Sequence, residues 1–224
     1  MCGRYVLKEP LDLLQRMFAY SSSDIRQLPA RYNIAPTTKI PVVRCGPDGG
    51  RELVEMRWGL IPPWATDPAR MPLMHNARSE TVTTKPAFRS AFKSRRCLVP
   101  ASGYYEWQKL PDGTKQPFFI HRSDGQPMAF AGLWEAAYPV PGVLQLSATV
   151  ITTEAGPKLA PIHNRMTVTL EGADQEMWMS QEPIPPAELA RLFSPAHEEG
   201  LATDRVSKRV GSVKNDDEAL LNPL

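Results

Sequence analysis

Cysteine is scarce in this chain: three residues among 224, at positions 2, 45 and 97. An odd number with no C-x-x-C pair disfavours a disulfide framework and a cysteine-rich zinc site, and it fits a reducing compartment. No stretch approaches the roughly 20 apolar residues that a membrane-spanning helix needs. The first thirty residues carry Arg4, Lys8, Glu9, Asp12 and Arg16, so they lack the apolar heart of a signal peptide, and a cytoplasmic protein is expected. Without such a segment Cys2 is no lipoprotein anchor, and myristoylation would require Gly in its place. Net charge is also nearly absent, 26 basic against 24 acidic residues. Any anion site must therefore come from local clustering of basic residues. Missing too are a Walker loop, G-x-G-x-x-G, H-E-x-x-H, G-x-S-x-G and the P-C-x-x-C of zinc deaminases, which removes sequence support for those chemistries.

Proline is plentiful, 23 residues spread along the chain, and it breaks the sequence into short elements. "EPLDLLQRMFA" (9–19) has Pro10 at a helix start and Leu11, Leu14, Met17 and Phe18 at helical spacing. Strands are predicted at 40–45, 51–58, 96–101, 103–110, 117–122, 128–135, 144–153 and 165–170, and further helices at 172–180 and 185–193. "RCGPDGG" (44–50) reads as a hairpin turn. Asp-Gly pairs in "LPDGTKQ" (110–116) and "RSDGQP" (122–127) predict an antiparallel meander over about 96–135. With no internal repeat and no long linker, residues 1–224 are expected to form one α+β domain on mostly antiparallel sheet.

Several polar residues stand in unusual settings. "RYNIAPTT" (31–38) and "HNARSET" (75–81) lack apolar periodicity and read as loops. Solvated surface is one account of them; arginines beside amides suited to phosphates or bases is the other. In "SGYYEWQKL" strand alternation puts Tyr104 and Glu106 on one face, Tyr105 and Trp107 on the other. Glu106 among aromatics suits acid-base work, and a water-facing strand edge is the alternative. His163 in "APIHNRMTVTL" is either a functional imidazole or a hydrogen-bonded loop histidine. Trp58, Trp107 and Trp134 are expected in the core.

Cys2 raises a sharper possibility. Removal of Met1 would leave Cys2 first, with an α-amine and a thiol on adjacent carbons. About a tenth of an α-amine of reference pKa ~8 is unprotonated at pH 7. An aldehyde would form an imine with this amine, and the thiol would close on the same carbon to give a five-membered thiazolidine. The ring-opened sugar of an abasic site in DNA is such an aldehyde. Capture by the thiol removes the electron sink that β-elimination needs, so the strand survives. Acyl transfer by an N-terminal-nucleophile amidohydrolase is the competing use, although only "MCG" matches those enzymes. A single-strand binding module that acts through its arginines, without a covalent bond, is a third reading.

Taken in order, "MCGRY", "RYNIAP", "RWGLIPPW", "NARSET", "CLVPASGYYEW", "KQPFFI", "IHNRM" and "VGSVKN" resemble the SRAP family, the SOS-response-associated peptidases that process abasic sites. The resemblance implies the SRAP fold, with a barrel-like sheet and short flanking helices. It implies a DNA-damage role: a self-reversing thiazolidine crosslink to abasic sites in single-stranded DNA, through lyase-type imine chemistry, that shields the lesion. The peptidase name would correspond to autocatalytic removal of Met1. Carried over residue by residue, Cys2 matches the crosslinking nucleophile, Asn76 the positioning amide, Glu106 the acid-base residue and His163 the histidine that also serves reversal. Arg4, Arg78 and Arg165 match phosphate holders, with Asn33 and Pro36 lining the site. Trp64 corresponds to a stacking residue. Family members can present two adjacent tryptophans there, and Ala65 takes the second place, so a core position for Trp64 stays open. No cofactor, metal or membrane is implied. The expected partner is abasic single-stranded DNA, bound by a monomer that becomes nucleoid-associated when on DNA.

Overall fold

The computed structural model describes residues 2–224; the expected loss of Met1 falls outside the described residues. In chain order the strands are β1 (Tyr5–Leu7), β2 (Ser22–Ser23), β3 (Arg31–Ile34), β4 (Lys39–Cys45), β5 (Arg51–Trp58), β6 (Asn76–Arg78), β7 (Arg96–Ala101), β8 (Gly103–Lys109), β9 (Lys115–Arg122), β10 (Met128–Val140), β11 (Val143–Glu154), β12 (Arg165–Thr167) and β13 (Leu201–Arg205). Four short helices accompany them: α1 (Leu11–Phe18), α2 (Arg89–Ser94), α3 (Ala173–Met179) and α4 (Pro186–Leu192).

Strands β5, β4, β7, β10 and β11 pair antiparallel in that order. β11 then returns to β5 in parallel, Ser147 opposite Arg57 and Ala148 opposite Trp58, and closes a five-strand mixed barrel. Beyond the closure, β6 pairs parallel and β12 antiparallel with the C-terminal part of β11, both meeting at Thr152. A second sheet, β13-β9-β8-β1-β3, is antiparallel throughout.

Side-chain alternation along β1 and β8 joins the two sheets. Tyr5 and Tyr104 enter the main core, where Tyr5 meets Trp58 and Phe130 edge-on at ring distances of 5.3 and 6.0 Å. Val6 and Tyr105 point the other way, into a smaller cluster with Phe119, Val206, Val210 and Leu220. Each such buried apolar side chain contributes roughly 1.5–3 kcal/mol. Gly103 is required where β8 crosses β9, since a Cβ there would lie 2.6 Å from the Ile120 carbonyl oxygen and the Phe119 ring. α1 starts after an extended Pro10, buries Leu14 and Phe18 one turn apart, and stops at Ala19 in the left-handed region.

Three expectations need correction. Residues 31–34 are strand, not loop, because β3 forms an edge whose pairing partner β1 is distant in sequence. Residues 76–78 are likewise strand, three residues long, too short for any periodicity to show. The 96–135 meander holds only for the β8–β9 hairpin; β7 and β10 pair with each other in the barrel, while β9 pairs with β13. The Asp124-Gly125 turn does form, with the Asp124 carboxylate accepting from the Gln126 N–H at 3.0 Å. A turn signal is local, and burial decides which sheet receives the next strand. Every residue of β7 is buried. Of the tryptophans, Trp58 is fully buried, whereas Trp107 and Trp134 are half-buried, Trp134 lying under the Arg44 guanidinium at 4.4 Å.

Asn33 pins the C-terminal segment to this frame. Only 4% exposed, it donates from Nδ2 toward the carbonyls of Val210 (3.1 Å), Ser212 (3.0 Å) and Asn215 (2.8 Å). Asn33→Ala leaves buried carbonyls without their donor and should lower the unfolding free energy by about 3 kcal/mol. Urea unfolding checks this, and a loss below roughly 0.5 kcal/mol, the level of an ordinary surface change, would contradict it.

Candidate active site

The residues before β1 are strapped against β8. The Arg4 carbonyl accepts the Tyr105 N–H at 2.9 Å, and the Val6 carbonyl accepts the Ser102 N–H at 2.7 Å. This lays Cys2, 1% exposed, beside the face of β8 that carries Tyr104 and Glu106. From the barrel side, Asn76 Nδ2 donates to the Cys2 carbonyl at 2.7 Å. Asn76 is itself held by register: it lies opposite Val150 on β11. The preceding His75 carbonyl accepts from Trp58 Nε1 (2.9 Å) and the Val150 N–H (3.1 Å).

Burial governs the protonation of this group. Glu106 is 3% exposed, and loss of solvent pushes its carboxyl up to about 7 from an ordinary 4.5. The Cys2 thiol is also raised, first by burial and then by the charge of Glu106, so at neutral pH it carries its proton. A carboxyl poised near 7 is suited to pass protons in either direction. Tyr104, to which sequence reasoning assigned no role, is close enough to feel both Cys2 and Glu106, and burial raises its phenol. The signal was its two-residue spacing from Glu106 on one strand face.

His163 sits at the exit of the loop between β11 and β12. Its Nδ1 accepts the Arg165 N–H at 3.0 Å, which leaves the neutral ring its proton on Nε2. Burial keeps its pKa below 6.5. Gln108, two residues past Glu106 on β8, donates to the Pro161 carbonyl of the same loop at 3.0 Å. The loop is thus attached directly to the strand that carries Glu106.

The expected phosphate contacts fall in different environments. Arg78 is exposed on β6. Arg4 Nη1 donates to Asn33 Oδ1 (3.3 Å) and the Val210 carbonyl (3.0 Å). Arg165 is bonded to the Thr152 carbonyl (2.6 Å) and to the Glu80 carboxylate, and its hydrogen bonding to that carboxylate holds the Glu80 pKa below its usual range. Asn33 faces buried carbonyls of its own chain. Pro36 is half-buried, next to Thr37, whose φ is 75° and whose N–H donates to the Trp58 carbonyl at 2.8 Å. Trp64 is not core: it is 56% exposed, while Ala65 beside it packs with Ile61 and Ala137. Among the described residues no three His, Cys, Asp or Glu side chains form a metal-holding group, and no helix is long and apolar enough to cross a membrane.

The model of the SOS response associated peptidase (SRAP) family matches residues 1–213. The chain belongs to the SRAP family. It is 36% identical to abasic site processing protein YoaM of Bacillus subtilis, over 99% of this chain and 98% of that one. It is 33% identical to YedK of Escherichia coli, another abasic site processing protein, over the full length of both. Gallus gallus HMCES, of the same description, is 31% identical across all of this chain and 78% of its own. A crystal structure from Bacteroides thetaiotaomicron superposes over the full length of both chains with a TM-score of 0.86 at 23% identity, so the two chains share a fold.

The raised carboxyl has a stability consequence. Because Glu106 binds its proton more tightly folded than unfolded, its contribution is fully present below about pH 4.5 and lost as pH rises to about 7. Glu106→Gln should therefore match wild type at pH 4.5 and exceed it by about 3 kcal/mol at pH 8. Thermal unfolding at both values tests this; an equal difference at the two pH values would contradict it.

Proposed function

We propose that this protein captures abasic sites in single-stranded DNA as a covalent thiazolidine on Cys2. The observation that carries the reading is the Asn76–Cys2 hydrogen bond, which holds residue 2 beside the buried carboxyl of Glu106. That bond engages the Cys2 carbonyl, so losing Met1 leaves it in place and turns the Cys2 nitrogen into a primary amine. The relatives named above are abasic site processing proteins, and their substrate is assigned to this chain on that likeness.

In the proposed reaction the Cys2 amine attacks the C1′ aldehyde of the ring-opened sugar, and its proton passes to the oxygen to give a carbinolamine. Glu106, as the acid, protonates the hydroxyl that leaves as water, and a protonated imine remains. Glu106, now a carboxylate, takes the thiol proton. The thiolate sulfur adds to C1′, the C=N electron pair moves onto nitrogen, and a neutral ring amine results. The balance is one water lost and no change of oxidation state. A protonated resting thiol fits this order, since the sulfur becomes a nucleophile only when the adjacent base is free. His163 moves protons in ring opening and in the reverse reaction. Exposed Arg78 and the Arg4 guanidinium face the phosphates, and exposed Trp64 offers one ring for base stacking. Self-removal of Met1 is the peptidase activity that this assignment requires.

An oligonucleotide carrying one abasic site should give a heat-stable shifted band on a denaturing gel with wild type and none with Cys2→Ala. Inserting Ala between Met1 and Cys2 should also abolish the band while salt-sensitive DNA binding persists. An undiminished band with either variant would overturn the assignment.

A further inference from the structure

The chain from Ala155 to Asn164 leaves β11 and re-enters the sheet as β12, closed at its neck by the Ala155 N–H donating to the Asn164 carbonyl at 3.1 Å. Inside it are two stacked single turns. The Ala160 N–H donates to the Gly156 carbonyl (2.9 Å), and the His163 N–H donates to the Leu159 carbonyl (3.0 Å). Leu159 and Ile162 are buried in the main core. The backbone placement of His163 therefore follows from wherever Leu159 is held.

Leu159 is held by a carboxylate from elsewhere in the chain. Glu198, in the short 3-10 helix Pro195–Gly200 just before β13, is 5% exposed. Its Oε1 accepts the Lys158 N–H at 2.9 Å and its Oε2 the Leu159 N–H at 3.1 Å. Both donors belong to the first turn, where the Lys158 N–H lacks a helical carbonyl partner and the Leu159 N–H is shared with the Gly156 carbonyl at 3.2 Å. A charged acceptor makes stronger bonds there than a neutral one. The fit depends on Gly156: a Cβ at that position would lie 2.3 Å from Oε1 and 2.6 Å from the carboxyl carbon.

The far side of this socket connects back to the reacting groups. Glu198 leads into β13, β13 pairs with β9, and β9 pairs with β8 so that Phe118 lies opposite Glu106. The loop is thus fastened to the Glu106 strand twice, by Gln108 to Pro161 and by Glu198 through two strands.

We infer that Glu198, seated against Gly156, is a positioning residue that sets where His163 stands relative to Glu106. The inference rests on the proposed role of His163 in proton transfer during release of the DNA adduct. A misplacement of His163 on the order of 1 Å is expected to slow release by roughly tenfold to a hundredfold.

Two variants of the full chain disturb the socket differently: Glu198→Gln replaces one acceptor oxygen by a donor, and Gly156→Ala displaces the carboxylate. Both should slow release of a preformed adduct by that factor. Neither should slow it further in a His163→Ala background, because a residue that acts through His163 has nothing left to act on. In the DNA-free proteins, NMR titration of the His163 ring should show its midpoint rising from below 6.5 toward that value in both variants, as a displaced ring gains solvent. Equal slowing in wild-type and His163→Ala backgrounds would overturn the inference, as would an unmoved His163 midpoint in both variants. If wild type forms no adduct at all, the proposed function falls, and the titration still decides whether Glu198 positions His163.

Discussion

One hydrogen bond organises the site: Asn76 Nδ2 to the carbonyl of Cys2, 2.7 Å long and spanning 74 residues of sequence. Cys2 lies outside the hydrogen-bonded sheet, ahead of β1, and a residue so near the start of the chain would ordinarily fray. Asn76 supplies the constraint, and the barrel supplies Asn76. The parallel pairing of β6 with β11 fixes its height, and the doubly accepting His75 carbonyl fixes the residue before it. The barrel therefore acts as a mount for the chain start, and the second sheet brings Glu106 to it from the other side through β8.

Burial then does the chemical tuning. A solvent-exposed Glu would be fully ionised at neutral pH and a poor acid, while a solvent-exposed thiol would be partly ionised. Placing both in one dry group raises both, and the carboxyl stops at about 7, where it can give or take a proton. The same burial costs stability whenever Glu106 is charged, so under the proposed function the fold carries a load at this site for the sake of reactivity.

Much of this architecture was readable from residue pattern, for a physical reason. The runs 51–58 and 96–101 coincide with β5 and β7. The alternation that sets Tyr104 and Glu106 on one face and Tyr105 and Trp107 on the other also reports a backbone fact, and the two cores divide accordingly. Pairing beyond the β8–β9 hairpin was not readable. β3 and β6 hold polar residues such as Asn33 and Asn76, and they become strands only through partners far along the chain. The pairing of Arg165 with Glu80, the saturation of Asn33 by its own C-terminal segment and the Glu198 socket all depend on long-range closure. The missing second tryptophan at Ala65 has a concrete counterpart, in that Ala65 fills a small apolar cluster while Trp64 projects into solvent.

The proposed function joins SRAP membership along nearly the whole chain to a barrel that grips residue 2. The most direct measurement is the intact mass of the adduct with an abasic oligonucleotide, before and after borohydride. A thiazolidine on Cys2 predicts the chain without Met1 plus the oligonucleotide minus one water, unchanged by the reductant. A gain of two hydrogens on reduction, which marks an imine, or an adduct that still carries Met1, would contradict the account.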